Sequence, residues 1–263
     1  MEVTIHPNDF SNLLRCLSLL NGICADVDIR KGILRQKSND RANIFEADLT
    51  PLVSDCDIVM SGLKSKLPLL KGLSRQEVKI TSTESDISFS GERSTFQFTN
   101  SHPCSPHNEF ISSEELANIF PLREEDVALE YSIDKETSKL MKVVSSQLKI
   151  VSFQVSFEGN TASIIATTTD TRQYSRIEYG IPIKAPMKCF SSLVVTPFIM
   201  DHDGDILLKM YNTQETVCVN KFKTLVGKIT VVVYGRSQLI EESELDASEP
   251  NAEQQPDAIN KGD

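Results

Sequence analysis

The sequence predicts an α+β fold built from two similar halves. Short segments rich in β-branched and alternating apolar residues, which are typical of strands, fill most of the first 236 residues. Four helix candidates begin near positions 8, 63, 135 and 197, a recurrence of about 55 to 70 residues. One predicted strand precedes each candidate and three follow it. The chain therefore predicts four copies of a βαβββ unit, two in each half.

The first half contains two helix candidates of different quality. Candidate 7–22 has Pro7 at its start, Asn8 or Asp9 as the expected cap, and Asn21-Gly22 at its end. Candidate 62–73 contains Pro68, which removes a backbone donor and predicts a kinked, irregular helix of one or two turns. The apolar face of the first candidate consists of Phe10, Leu13, Leu14, Leu17 and Leu20. The predicted strands are 2–6, 24–30, 32–37, 43–49, 57–62, 77–84, 86–91 and 94–100.

The second half contains one long helix candidate and one short one. Candidate 135–149 follows Asp134, the expected cap, and candidate 197–204 is long enough for a single turn only. On 135–149 we expect Leu140, Val143, Val144 and Leu148 to pack against the sheet. The predicted strands are 127–133, 151–159, 161–169, 174–181, 190–196, 205–211, 215–222 and 228–235.

Composition divides the chain further. We predict an N-terminal domain at 1–100, a connector at 101–126, a C-terminal domain at 127–236 and a disordered acidic tail at 237–263. The tail carries eight acids against one lysine, so it holds −7 of the chain's net charge of −10. The preceding residues are close to neutral, which leaves room for a local basic surface.

Several features bear on the compartment. No apolar run approaches the roughly 20 residues that span a bilayer, so no membrane partner is expected. The start, MEVTIHPNDF, has neither a basic n-region nor an apolar h-region, and we expect an intracellular protein. The six cysteines include no C-x-x-C pair and are expected to be buried free thiols.

The acidic stretch DHDGD invites a calcium interpretation that its flanks oppose. Asp201, Asp203 and Asp205 have the spacing of a calcium loop. That loop requires glycine at position 6 and glutamate at position 12, where this chain has Ile206 and Asn212. A turn that enters a strand is the expected structure.

Motifs for other chemistry are missing from the sequence. His102, Cys104 and His107 have no fourth zinc ligand nearby. There is neither a P-loop nor a G-x-S-x-G motif. We therefore predict that the protein is not an enzyme and has no cofactor.

The order of the segments resembles DNA sliding clamps, the family that includes proliferating cell nuclear antigen and the clamps of tailed phages. In the first half the resemblance is carried by FSNLLRCLSLLNGI, ANIFEADL, DIVMSGLKSKLPLLKGL and STFQF. In the second half it is carried by FSSLVVTPFIMDHDGDILLKMY and KITVVVYG. The resemblance covers residues 1 to about 236. The kinked KLPLLK and the very short fourth helix depart from the longer helices of cellular clamps.

The resemblance implies a sliding-clamp fold and a function. It implies a homotrimeric ring with helices around the hole and sheets outside. Such a ring encircles double-stranded DNA of any sequence, tethers a DNA polymerase as its processivity factor in DNA replication, and depends on a separate ATP-dependent clamp loader. If the chain is phage-encoded, its place of action is the host cytoplasm.

A lysine stripe is the predicted DNA-facing surface. Read as a helix, 135–149 places Lys135, Lys139, Lys142 and Lys149 on one face with no acid among them. Flexible lysines that reach phosphates suit a ring that slides without reading bases. Such a stripe is also what any solvated amphipathic helix shows, and the sequence leaves both interpretations open. Further DNA-contact candidates are Lys64, Lys66, Lys71 and Arg15.

The resemblance also implies a hydrophobic pocket beside the connector for a partner's peptide tail. The residues expected to form it are Ile44, Leu116, Phe120 and Tyr234. Alternatively, they only pin the connector to the body of the protein.

Two other functions compete with the clamp. One is a β-rich structural or interaction module, such as a viral assembly protein, which does not bind DNA. The other is single-strand binding, which uses aromatic stacking platforms. The chain has no tryptophan, and the lysine stripe of 135–149 contains no aromatic residue.

Overall fold

The structure is a computed structural model of the chain. It describes residues 2–38, 43–54, 57–99, 110–148, 150–158, 160–168, 175–182, 184, 191–193, 202–214 and 217–237. The first half contains strands and helices in the predicted order. They are β1 (Glu2–Ile5), α1 (Pro7–Asn21), β2 (Val27–Arg30), β3 (Ile33–Lys37), β4 (Asn43–Asp48), α2 (Thr50–Val53), β5 (Ile58–Met60), α3 (Leu63–Lys71), β6 (Val78–Ser82), β7 (Asp86–Ser90) and β8 (Thr95–Thr99).

After the connector, the described part of the second half has one strand, one helix and seven further strands. A short 3₁₀ turn at Glu124–Asp126 precedes it. The elements are α4 (Ser113–Ile119), β9 (Val127–Ile133), α5 (Lys135–Leu148), β10 (Ile150–Glu158), β11 (Thr161–Thr168), β12 (Ser175–Pro182), β13 (Ser191–Leu193), β14 (Ile206–Gln214), β15 (Val217–Val226) and β16 (Ile229–Ser237). Of the predicted helix 197–204, residues 197–201 lie outside the described part, and 202–204 form a turn. The tail 238–263 also lies outside it.

Three antiparallel sheets organise these strands. The largest has eight strands in the order β5-β2-β3-β4-β16-β15-β14-β9. Its centre is the pairing of β4 with β16, in which Ile44 lies opposite Tyr234. The others have four strands each, in the orders β1-β6-β7-β8 and β12-β11-β10-β13. Since β4 and β16 come from different halves of the chain, one sheet joins the two halves. The boundaries of the predicted domains stay a prediction.

Helix α1 packs as its sequence predicts, except at its cap. All five residues of its predicted apolar face are buried, and the helix contacts β15, β16 and α3. The N-cap is His6, whose Nδ1 accepts a hydrogen bond from the amide of Asn8. The expected caps, Asn8 and Asp9, lie inside the helix because Pro7 already takes a helical position.

Helix α3 is more regular than predicted. It runs without interruption over nine residues, with Pro68 inside it. Pro68 is exposed, as is Lys64 one turn earlier, so the carbonyl that lacks a helical partner lies on the solvent side. Pro68 therefore does not interrupt the helix, which is longer than the predicted one or two turns, and the kink stays a prediction.

Helix α5 differs from its prediction in packing. Asp134 caps it as expected, since its carboxylate accepts a hydrogen bond from the amide of Thr137 at 2.7 Å. This bond also lowers the pKa of Asp134. Leu140 and Val143, however, are 49% and 56% exposed. The expectation that these two side chains pack on the sheet of the same chain was therefore wrong.

Two helices were not predicted. Helix α2 is a single turn after β4, and α4 lies in the connector. Helix α4 has a capping box, because Ser112 accepts from the amide of Glu115 and Glu115 accepts from the amide of Ser112. The sequence Ser-x-x-Glu could have revealed it. In the ranges that the structure describes, no helix is long and apolar enough to cross a membrane.

Candidate functional site

The lysine side of α5 is open to solvent. Lys135, Lys139 and Lys142 are all exposed, at the predicted spacing of four and three residues. Ser138 lies on the buried side. The described part of the chain offers neither Lys139 nor Lys142 an ion-pair partner. Lys149 lies outside the described residues. The row of charges can therefore meet an anionic surface without first breaking an internal contact.

Helix α3 splits its three candidate lysines. Lys64 and Lys71 are exposed and lie seven residues apart on one face. Lys66 instead donates to the carbonyl of Ser61 and lies over the ring of Phe98, 5.2 Å from its centroid. Its ammonium is therefore directed towards the edge strand β8, away from the Lys64 and Lys71 face.

Arg15 on α1 is held by a carboxylate from the second half of the chain. Its two terminal nitrogens donate to Asp203 at 2.8 and 3.0 Å, and the amide of Gly227 donates to the same carboxylate at 2.7 Å. The hydrogen bond from Arg15 lowers the pKa of Asp203. A contact of Arg15 with DNA phosphate would have to compete with this pair.

A cavity of about 460 Å³ lies beside Arg15, in the groove between α1 and α3. It combines two cationic side chains with three hydroxyls, although the hydroxyls of Ser11 and Ser18 donate to backbone carbonyls. Its lining residues are Ser11, Leu14, Arg15, Ser18, Leu19, Lys71 and Ser74. The cavity thus joins the faces that carry the predicted DNA contacts of both helices.

The turn at 202–204 connects α1 to α5. Asp203 binds Arg15 of α1, and His202 Nε2 lies 2.6 Å from the buried hydroxyl of Ser138 on α5. The other ring nitrogen, Nδ1, lies 2.5 Å from the carbonyl of Gly204, which can only accept. Nδ1 therefore donates and Nε2 accepts from Ser138. The turn positions the two helices that carry the main candidate cations.

The four candidate pocket residues come together in one cluster. Ile44, Phe120 and Tyr234 are buried, and Leu116 is partly buried against them. The rings of Phe120 and Tyr234 stack with centroids 5.7 Å apart. Burial raises the pKa of Tyr234 to about 12. Phe120 stacks directly on Tyr234, as a residue that pins the connector does, and its role as the wall of a partner pocket stays a prediction.

Three basic residues that sequence reasoning missed surround this cluster. The guanidinium of Arg236 lies 5.5 Å from the centroid of Phe120, and the ammonium of Lys221 lies 5.5 Å from that of Tyr234. Arg35 donates to the carbonyl of Ile111 and to the hydroxyl of Ser113 in the connector. No local motif marks these residues, because the strand register alone brings them to the connector.

The comparisons with known proteins concern the fold. No protein-family model and no curated protein matches the sequence. Among solved structures, the PCNA of A. fulgidus bound to the C-terminal region of FEN-1 matches with a TM-score of 0.59 and 11% identity, over 91% of this chain and 98% of that one. The PCNA2–PCNA3 complex from Sulfolobus tokodaii matches with a TM-score of 0.60 and 12% identity, over 90% and 99%.

A clamp from a different branch matches as well. The beta clamp of H. pylori has a TM-score of 0.58 and 15% identity, over 95% of this chain and 67% of that one. These matches span nearly the whole chain, and both kinds of clamp share the arrangement of sheets and helices. The predicted architecture is thereby confirmed: this chain has the fold of the DNA sliding clamps.

Proposed function

We propose that this chain is a sliding clamp that encircles double-stranded DNA without sequence preference and tethers a replicative DNA polymerase. The observation that carries the proposal is the exposed row of Lys135, Lys139 and Lys142 on a helix of a clamp fold. Lysines on flexible stems neutralise phosphates without fixing a register, which suits a ring that must slide. Exposed Lys64 and Lys71 on α3 are further proposed DNA contacts, and Lys149, which lies outside the described residues, is proposed from its place in the sequence.

Ring closure as a homotrimer gives a role to two sheet edges. Among the described residues, strands β8 and β12 end the two four-stranded sheets, and each leaves a row of backbone groups for another chain. Strand β8 itself carries the partly buried Phe96 and Phe98. Pairing of β8 with β12 of the next copy is a head-to-tail contact, which closes into a ring when the rotation fits.

The same contact gives a role to the apolar side chains that α3 and α5 expose. Leu69 of α3, like Leu140 and Val143 of α5, is an exposed large apolar residue. Helix α3 reaches β8 through the contact of Lys66 with Phe98, and α5 packs on β10 of the sheet that β12 ends. A neighbouring copy seated at these edges would cover all three side chains.

The remaining parts of the proposal concern partners. The cluster around Ile44, Leu116, Phe120 and Tyr234 is the proposed docking place for the peptide tail of a polymerase. Loading onto DNA requires a separate ATP-dependent clamp loader. The protein itself acts as a non-enzymatic tether without a cofactor, inside the cell, and in the host cytoplasm if a phage encodes it.

The test of this function combines mass and charge reversal. Sedimentation should give a particle of three times the 29.3 kDa chain. The double variant Lys139→Glu, Lys142→Glu should keep that mass and its stability, because both residues are exposed. In loader-dependent primer extension on circular DNA it should give shorter products than the wild type, with the larger difference at the lower of two salt concentrations, because the contacts it has lost are the salt-dependent ones.

A matched control variant separates the effect of charge on α5 from the effect of the net charge of the whole chain. The pair Lys79→Glu, Lys223→Glu changes the charge equally, at exposed positions on strands β6 and β15. It should leave product length unchanged. Products of wild-type length from the α5 variant, with the trimer intact, would rule out the DNA role of α5 and favour the β-rich structural module.

A further inference from the structure

The connector lies over the eight-stranded sheet as a docked peptide does. Helix α4 and the residue after it direct Leu116, Ile119 and Phe120 towards the sheet, at the spacing of i, i+3 and i+4 that defines one side of a helix. Phe120 enters deepest and stacks on Tyr234. We call residues 113–120 the connector plug. Its contact has the geometry of an amphipathic helix in an apolar groove.

The plug is weakly built into the body of the protein. Helix α4 has seven residues, none of them buried, and a helix of that length is unstable alone in water. Among the backbone groups that the structure describes, one hydrogen bond joins 110–122 to the sheet, from the amide of Ile111 to the carbonyl of Arg35 at 3.0 Å. The other attachments are made by side chains, such as Arg236, which donates to the carbonyl of Ile119. A few side-chain contacts therefore hold the plug.

The groove under the plug is apolar and continuous. It is formed by adjacent strands of the central sheet, β4, β16, β15 and β14. Its floor consists of Ile44, Tyr211, Val219, Val232 and Tyr234, all of them buried by one another and by the plug. An occupant with the same apolar pattern would bury the same surface, so plug and partner can exchange without leaving the groove exposed.

The charges around the groove select the occupant. The plug carries Glu114 and Glu115 in the first turn of α4. Lys37 contributes to lowering the pKa of Glu115, after the two hydrogen bonds from Ser112. The side chains of Lys221 and Arg236 also border the groove, as does that of Arg35, whose charge is paired with Glu46. A basic rim around an apolar floor fits an acidic amphipathic peptide.

We propose that the connector plug is an intramolecular ligand that occupies the partner groove, and that partners must displace it. The displacing partner is an acidic peptide in which an apolar residue precedes an aromatic one by four positions, as Leu116 precedes Phe120. The proposal rests on the partner-docking function above and adds its regulation: before a partner binds, Leu116 and Phe120 fill the docking place, and Ile44 and Tyr234 form part of its floor. A tethered competitor lowers the apparent affinity for a free peptide by the fraction of open groove.

The test uses the plug's own sequence as a probe. A synthetic peptide of residues 110–123, FISSEELANIFPLR, is titrated into the full-length protein by fluorescence anisotropy. The variant Phe120→Ala should bind it at least tenfold more tightly than the wild type, because the internal competitor has lost its anchor. The same peptide with alanine at Leu116 and Phe120 should bind neither protein, and higher salt should weaken the binding.

A second variant opens the plug without altering the groove. Ser112→Ala removes the capping box, a loss that amounts to roughly fivefold in helix stability, and should tighten peptide binding by about fivefold. Ser112→Thr keeps a capping hydroxyl and is the matched control, with wild-type affinity expected. Circular dichroism and sedimentation confirm that each variant remains folded.

The outcomes separate this proposal from the clamp function. Tighter binding by both Phe120→Ala and Ser112→Ala supports displacement. Wild-type affinity in either variant, or no binding of the peptide by Phe120→Ala, overturns it. The titration contains neither DNA nor polymerase, so its result does not depend on primer extension. Normal primer extension together with a failed titration would support the clamp function and refute the proposal that the connector plug must be displaced.

Discussion

The ion pair between Arg15 and Asp203 offers a test with opposite effects on stability and on DNA association. The variant Asp203→Asn keeps the shape of the side chain but removes its charge. Asparagine retains one acceptor oxygen, which can serve either the amide of Gly227 or one nitrogen of Arg15. The turn at 202–204 then loses its charged link to α1, while Arg15 keeps its hydrogen bond to Oδ1 of Asn12 at 3.2 Å.

The cost to stability follows from the exposure of the pair. The side chain of Asp203 is 45% exposed and that of Arg15 is 25% exposed. Exposed ion pairs contribute about 0.2 to 1 kcal/mol, and the bidentate geometry here favours the upper end of this range. We therefore expect the free energy of unfolding to fall by about 1 kcal/mol at pH 7, measured by urea denaturation. Asp205→Asn, at an exposed carboxylate two residues later, is the control and should change little.

The difference in the free energy of unfolding between wild type and Asp203→Asn should also depend on pH, which tests the ion pair independently. The pKa of Asp203 is lower in the folded chain than its ordinary value of 3.8. Its contribution is therefore fully present above about pH 4 and is lost as the pH falls through the folded-state pKa. The difference between wild type and Asp203→Asn should shrink below pH 4. A difference that is absent at pH 7, or that stays constant to pH 2, would refute the assignment.

The second measurement is how long the protein remains on DNA. Under the proposed function, Asp203→Asn removes the carboxylate that competes with the phosphates for the Arg15 guanidinium. Every phosphate that an arginine newly neutralises adds roughly 0.9 to the log–log slope of affinity against salt. The variant should therefore remain longer on nicked circular DNA at low salt than the wild type, despite its lower stability. Shorter retention would show that Arg15 acts through its link to the turn alone.

Two further predictions address packing. Gly227→Ala should lower the free energy of unfolding by about 2 to 3 kcal/mol, because φ is +59° and the new Cβ would lie 2.1 Å from Nδ2 of Asn12. Thermal denaturation measures this loss. Adding Asn12→Ala should recover the part of the loss that is due to the clash. Cys16 is fully buried, and burial raises the pKa of its thiol to about 12. Iodoacetamide at pH 8 should therefore modify Cys16 only after unfolding. Mass spectrometry of the peptide that contains Cys16, with a urea-treated sample as control, measures the modification. Rapid modification of Cys16 in the folded protein would contradict its placement in the core.

The elements of this protein were largely readable from local sequence. Period-2 alternation marked β9 with its observed bounds, and the 3.6-residue apolar period marked the buried face of α1. Asp134 was identified as the cap of α5 because a capping side chain acts within a few residues of its partner. The exposed lysines of α5 were predicted for the same reason, since helical spacing assigns residues to faces.

Only the tertiary structure decided what these faces meet. The pairing of Ile44 with Tyr234 joins strands from opposite ends of the chain, and Arg15 reaches Asp203 across 188 positions. Phe120 was predicted near Tyr234 by resemblance, but its occupation of the groove follows from how the connector folds back. Leu140 was predicted to be buried but is exposed. A helical period identifies an apolar face without saying what covers that face. Local sequence fixes backbone preference and the side of an element, whereas long-range register and ion pairing arise only when all elements pack together.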